Sequence, residues 1–82
     1  NPFNSSVTIP FALARGAQTS VSVYSATGQR VARLAHGWKN AGSYRVLWDG
    51  RTSSGQTAAS GVYFVRLHSG ALLATTRVLL LK

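Results

Sequence analysis

The stretch GVYFVRLHSGALLATTRVLLL, residues 61–81, decides the fold class. Its first half alternates with a period of two, as a β-strand does: Tyr63, Val65 and Leu67 share one face, opposite Phe64, Arg66 and His68. Ser69-Gly70 predicts a tight turn. Residues 71–81 then form a second run that is apolar at nearly every position, which suits a strand covered on both sides or one that leaves a face for a partner. The stretch therefore predicts a C-terminal β-hairpin.

Turn-forming residues recur along the rest of the chain about every 8 to 12 residues, with short β-rich runs between them. The clearest run is residues 43–49, where Tyr44, Val46 and Trp48 share one face. Other strands are predicted at residues 6–11, 19–24, 30–34 and 62–68, with a short edge strand at 56–59 and loops at 36–42 and 51–60. No segment predicts a significant helix. The sequence thus indicates an all-β fold, an antiparallel immunoglobulin-like β-sandwich of about seven strands.

Two prolines constrain the N-terminal part. Pro10 has no backbone N–H, so the strand at residues 6–11 is expected at a sheet edge. Asn1-Pro2-Phe3-Asn4 predicts an irregular, proline-fixed entry to the domain.

The chain has 82 residues, which predicts a single domain over residues 1–82 with one modest core. It contains no cysteine and no methionine, not even at position 1. Without disulfides, burial of apolar side chains must supply most of the stability. The missing initiator methionine leads us to expect a fragment of a larger protein. No apolar run is long enough for a transmembrane segment.

Charge is strongly unbalanced, with nine Lys and Arg against one acid, Asp49, for a formal net charge of +8. A field of this sign attracts nucleic acid, anionic lipid or acidic polysaccharide without choosing among them. The basic residues are spread singly along the sequence, which favours a solvated, repulsive surface over nucleic-acid binding.

Catalytic groups are nearly absent, so we expect no enzyme activity, no cofactor and no metal site. A glycosidase needs two carboxylates, and this chain has one. His36 and His68 lie in different segments, with no cysteine to complete a metal shell. Asp49 precedes Gly50, where its carboxylate is expected to accept a hydrogen bond from the backbone two residues on and close a turn.

Trp38 and Lys39 form a possible ligand contact. They lie in the predicted loop at residues 36–42, beside Asn40, a composition typical of sugar-stacking or partner-contact sites. The alternative is that Trp38 packs over the end of the sandwich, and this alternative is favoured.

Several short motifs occur along the chain in a characteristic order. They are Asn1-Pro2-Phe3-Asn4, Val23-Tyr24 with Gly28 and Val31, Gly42, Trp48-Asp49-Gly50, Gly55, Ser60-Gly61-Val62-Tyr63 and the terminal Leu-Leu-Leu-Lys. Over its whole length the chain resembles the C-terminal sorting domains of the bacterial type IX secretion system. Those domains are in turn similar to the immunoglobulin-like domain of the flagellar hook-capping protein.

The resemblance implies a non-catalytic sorting signal. Its residues would be Gly61, Tyr63, Val65 and Leu67 on one strand, with Arg77, Val78, Leu80 and Lys82 on the last. The domain would be fused to an upstream cargo protein and exported through the periplasm to the cell surface or the extracellular space. Its partners would be the outer-membrane secretion machinery, a surface sortase-like peptidase and an anionic lipopolysaccharide.

Two other functions stay open. One is a structural immunoglobulin-like spacer or hook-cap-like assembly module. The other is a carbohydrate-binding accessory module that uses Trp38.

Overall fold

The computed structural model describes residues 2–3 and 6–81, and the side chains of residues 6–81. Six strands of seven to ten residues and one of two residues make up the fold, with no helix in the described part of the chain. The strands are β1 (Pro2–Phe3), β2 (Val7–Leu13), β3 (Ala17–Ser25), β4 (Arg30–Lys39), β5 (Gly42–Trp48), β6 (Gly61–Ser69) and β7 (Leu72–Leu80). The predicted all-β sandwich is confirmed.

Two sheets form the layers of the sandwich. One has five strands in the order β1-β7-β6-β3-β4, and the other pairs β2 with β5. All pairings are antiparallel except that of β1, which lies parallel to the end of β7 at Leu79 and Leu80. The larger sheet is therefore wider than the smaller one that covers its inner face.

The core lies between the sheets and contains the alternating positions that the sequence marks. Trp48 is 1% exposed, and its ring packs edge-to-face with that of Tyr63 at a centroid distance of 5.0 Å. Val21 and Val23 contribute from β3, and Leu80 from β7, each at most 1% exposed. Burying a side chain of this size contributes about 1.5–3 kcal/mol, which is how a small chain without disulfides offsets its conformational entropy.

Two register shifts make β4 longer than predicted. The sequence predicts only a short strand, residues 30–34, because glycines bound the run and because Val31 and Leu34 are three residues apart, a spacing that also fits one helical turn. In the structure, β-bulges interrupt the β3–β4 ladder between Val21 and Ser22 and between Val23 and Tyr24. Each bulge adds a residue to one strand, so β4 turns both apolar side chains toward the core and continues to Lys39. Trp38 therefore lies on a strand, and the predicted loop was wrong.

Two smaller predictions also change. The predicted edge strand at residues 56–59 is only a single bridge between Arg51 and Thr57, because the hydrogen bonds of this loop run locally, as from the Thr52 N–H to the Gln56 carbonyl. Pro2–Phe3 is a strand rather than an irregular entry, since it gains backbone pairing on β7. Asn1 and Asn4 lie outside the described residues.

Candidate functional site

The eight residues of the predicted sorting signal come together on the β6–β7 hairpin, as far as the structure describes them. Gly61 pairs with Leu80 and Tyr63 with Val78, so the two segments are direct cross-strand neighbours. Four of the eight side chains are nonetheless buried in the core: Tyr63, Val65, Val78 and Leu80. Gly61 and Leu67 are half-buried. Most of this set therefore holds the sandwich together.

Only one member of the predicted signal presents a charge in the described structure. Arg77 is exposed on the outer face of the five-stranded sheet, opposite Phe64. Lys82 lies outside the described residues. A partner that binds the folded domain would thus contact the backbone of β7 and the Arg77 side chain rather than the buried apolar side chains.

The first two-thirds of β7 is uncovered. Residues 72–77 are all exposed, whereas Val78 and Leu80 are buried. On the inner face, the two-stranded sheet leaves Leu72, Ala74 and Thr76 exposed, Leu72 by 44%. The strand is therefore not covered on both sides over residues 72–77, and the second of the two alternatives that the sequence offered, apolar surface left open, applies to this part of it.

The edge of β7 is also free of backbone partners along most of its length. Among the described residues, β7 has a second neighbour only at Leu79 and Leu80, where β1 joins it. The stretch from residue 72 to residue 78 therefore presents N–H and C=O groups on its outer side without a strand to pair with. Such an edge is a template for another extended chain.

The other sheet edges carry features that oppose strand addition. β2 contains Pro10, and the predicted edge position is confirmed because the second sheet holds only β2 and β5. β4 has two bulges in its ladder with β3, and it carries the exposed Arg30 and Arg33. By contrast, β7 pairs with β6 in unbroken register and has no proline, bulge or charge before Arg77. The remaining edge strand, β5, carries the exposed Arg45 at its middle, so β7 is the one long edge of the described structure without such protection before Arg77.

A lateral slot runs between β2 and β7, where the sandwich is open. At one end, a depression of about 460 Å³ is bounded by the β2–β3 turn and the β6–β7 turn, with Leu13 and Leu72 in its wall. Farther along, a smaller space of about 90 Å³ separates Ile9 and Phe11 from Ala74. We call the exposed edge of residues 72–78 together with this opening the β7 slot.

Trp38 and Lys39 occupy the far edge of the same sheet. Trp38 is 61% exposed, and its Nε1–H donates to Asn40 Oδ1 at 3.0 Å. Its ring also lies against Gly16, where an added Cβ would meet it at 2.9 Å. Lys39 turns away, with Nζ 5.0 Å from the centroid of the Tyr44 ring. Trp38 thus rests on the end of the sandwich with most of its surface accessible.

Asp49 has the structural role that the sequence predicts. Its Oδ1 accepts the Arg51 backbone N–H at 3.1 Å, and its other oxygen lies 4.0 Å from Arg51 Nε in an exposed ion pair. Within residues 6–81, no group of three or more metal-ligating side chains comes together. The described chain also forms no helix that could cross a membrane.

The outer face of the five-stranded sheet gathers basic residues that are scattered in sequence. Ladder pairing places Arg33 and Arg66 on either side of Ser22, and places Arg30 and Arg77 at the ends of the row that holds Tyr24 and Phe64. His36 and His68 flank Ser20 on the next row. The sequence prediction of singly spread charges missed this arrangement. It follows from the β4-β3-β6-β7 strand order, which no local pattern specifies.

A family model described as the FlgD Ig-like domain matches residues 3–71. The chain belongs to the FlgD Ig-like domain family. A comparison with curated proteins finds no match. The immunoglobulin-like part of the expected resemblance is confirmed, and the finer assignment to type IX sorting domains stays a prediction.

The family match ends at Ala71, immediately before β7. In this FlgD Ig-like domain, the side of the β7 slot that β2 forms therefore lies within the matched residues, and the side that β7 forms lies outside them. This strand is also where the structure leaves a face and an edge uncovered.

Proposed function

We propose that this FlgD Ig-like domain is a non-catalytic assembly module, which joins the polypeptide attached to it to a partner protein. The observation that carries the proposal is the unprotected edge of β7. Natural sheets guard their edges with proline, bulges or charges, and this domain guards β2 and β4 in these ways. An edge left open beside an apolar slot suits recognition by strand addition.

Strand addition would satisfy both features of the β7 slot at once. An extended segment laid along residues 72–78 gains main-chain hydrogen bonds from the open edge. Alternate side chains of the same segment then point into the slot beside Leu72 and Ala74, or outward beside Leu73. Leu73 is 62% exposed, so it supplies apolar surface to such a partner.

The partner is expected to be acidic and different from this chain. Two copies meeting edge to edge would each carry a formal charge of +8, which opposes their association. An acidic strand is attracted by the same field and finds Arg77 at the end of the open stretch. Charge therefore selects a heterologous partner over a second copy.

A peptide-binding experiment tests this proposal. The probe is a fluorescein-labelled peptide of alternating valine and glutamate, as long as β7, followed by fluorescence anisotropy. Ala74→Asp places a repelling carboxylate at the mouth of the slot and is expected to weaken binding at least about tenfold. Ala12→Asp is the matched control, because Ala12 is also exposed but lies on the outer face of β2.

The affinities of the two variants for the peptide decide whether it docks at the β7 slot. Loss of binding in Ala74→Asp with less than about twofold change in Ala12→Asp supports docking at the β7 slot. Equal losses in the two variants, or no binding of the peptide to the unmodified domain, contradict it. Thermal unfolding of both variants verifies that each is folded at the assay temperature.

A second proposed function is type IX sorting of an attached cargo to the bacterial cell surface. The specific observation in its favour is that both segments of the implied signal pair within one hairpin, next to the open edge. In this case the partners are the secretion machinery, a sortase-like peptidase and lipopolysaccharide. The secretion machinery at the outer membrane would then recognise the same open edge of β7.

Surface display distinguishes the two functions. The same substitutions, Ala74→Asp and Ala12→Asp, are placed in the parent protein, and the displayed fraction is measured by antibody labelling of intact cells. Sorting predicts that Ala74→Asp abolishes display and that Ala12→Asp preserves it. Normal display of an Ala74→Asp protein that no longer binds the peptide contradicts sorting and leaves the assembly module.

A further inference from the structure

The outer face of the five-stranded sheet carries a second, independent surface. We define the arginine face as Arg30, Arg33, Arg66 and Arg77, together with His36 and His68. All six side chains are exposed. They come from β4, β6 and β7, and small or aromatic residues of β3 and β6 separate them.

The dimensions of this face follow from sheet geometry. Neighbouring strands lie about 4.8 Å apart, so Arg33 and Arg66, with β3 between them, are about 10 Å apart at the backbone. Arg30 and Arg77 stand about 14 Å apart at the ends of the next row. The chain's one acid, Asp49, follows β5 in the other sheet, where it pairs with Arg51. The face is therefore a broad positive surface without internal neutralisation.

Aromatic residues support the arginines. The Arg66 guanidinium lies 4.8 Å from the centroid of the Tyr24 ring, which holds its charge over the middle of the sheet. Phe64 is half-buried in the same row. Because Arg66 covers Tyr24, that ring is not open as a platform on which a nucleic-acid base could stack. At the middle of the face, this arrangement favours contacts with anionic groups over contacts with bases.

One corner of the face suits sugar rings. Trp38 follows His36 by two residues on β4, so it points to the same side, and it is 61% exposed. Beside it, a shallow depression of about 240 Å³ is lined by Ser20, His36 and His68. Hydroxyl and imidazole groups around a depression are the donors and acceptors that sugar hydroxyls require.

We propose that the arginine face binds an acidic polysaccharide, with the arginines on its carboxylates and Trp38 against a sugar ring. Arginine suits this role because its planar guanidinium pairs with a carboxylate through two hydrogen bonds. Separate arginines spread over a flat surface match a repeating polymer better than a single small anion. The surface is on the outer face of the sheet, distinct from the β7 slot on its edge.

Binding of alginate oligomers, measured by isothermal titration calorimetry, tests the inference. The variant Arg33→Gln with Arg66→Gln removes two charges from the face and is expected to weaken binding at least about tenfold. The variant Arg15→Gln with Arg45→Gln removes two exposed charges elsewhere, which leaves the same net charge and is expected to change affinity less than about threefold. A third variant, Arg30→Gln with Arg33→Gln, spares the Arg66–Tyr24 contact and therefore tests the face without touching that packing.

Three results would overturn the inference. Equal weakening by the on-face and off-face variants would mean that net charge alone attracts the polymer. Equal binding of neutral dextran would remove the role of the arginines. Tighter binding of single-stranded oligodeoxythymidine than of alginate would assign the face to nucleic acid instead. Loss of alginate binding in both on-face variants, with retention in the off-face variant and steep weakening by salt, supports it.

Discussion

Two tyrosines make the same hydrogen bond in different surroundings. The Tyr63 hydroxyl donates to the Ala59 carbonyl at 2.6 Å in a partly buried site, and the Tyr44 hydroxyl donates to the Asn40 carbonyl at 2.6 Å in an exposed one. We expect Tyr63→Phe to lower the free energy of unfolding by about 1 kcal/mol, because a partly buried carbonyl loses its partner. Tyr44→Phe is expected to cost less than about 0.5 kcal/mol, since water replaces the hydroxyl.

Urea denaturation of the two variants beside the unmodified domain measures the difference. A Tyr44→Phe cost equal to or larger than that of Tyr63→Phe would contradict the assigned burial. The comparison also bears on function, because Tyr63 belongs to the implied sorting signal. A variant that loses stability but keeps peptide binding would show that Tyr63 acts through the fold.

Core residues are the part of this molecule that the sequence predicts best. Trp48 and Val23 lie on alternating runs, and both are buried. Alternation along a strand indicates the face of the sheet on which each side chain lies, and the side chains on the inner face are buried. The arginine face was not predictable in this way, since Arg33 and Arg66 meet only after β3 has been placed between their strands.

At the scale of elements, β7 should be less protected than the central strands of the larger sheet, β3 and β6. Its residues 72–77 are exposed and lack a second neighbour among the described residues, whereas β3 and β6 are paired on both sides. We expect backbone amides of residues 72–77 to exchange with solvent at least about tenfold faster than those of β3. Native-state hydrogen exchange followed by NMR measures this, and equal protection of the two strands would contradict the open edge.

Strand boundaries were predictable where alternation is strict and failed where it breaks. β5 matches its prediction within one residue at each end. The strand predicted at residues 30–34 was shorter than β4, because two bulges shift the apolar positions of β4 out of the period of two. The edge position of β7 was also hidden, since an apolar strand has the same sequence whether it is covered on both sides or awaits a partner.

Charge acts on the whole molecule. A formal charge of +8 on 82 residues destabilises the folded state through self-repulsion, and salt screens that repulsion. We expect the free energy of unfolding to rise by about 1 kcal/mol between low salt and about 0.5 M NaCl. The variant Arg33→Gln with Arg66→Gln is the control and should gain less. A salt-independent or falling stability would mean that the charges are already well separated in the fold.

The central claim, that a partner strand adds to the β7 slot, is tested most directly by NMR shift mapping. The isotope-labelled domain is titrated with the unlabelled valine–glutamate peptide, and backbone amide shifts are followed residue by residue. The account predicts the largest changes at residues 72–78, with cross-strand nuclear Overhauser contacts between this segment and the peptide. Largest changes on the arginine face or around Trp38, with residues 72–78 unmoved, would contradict it.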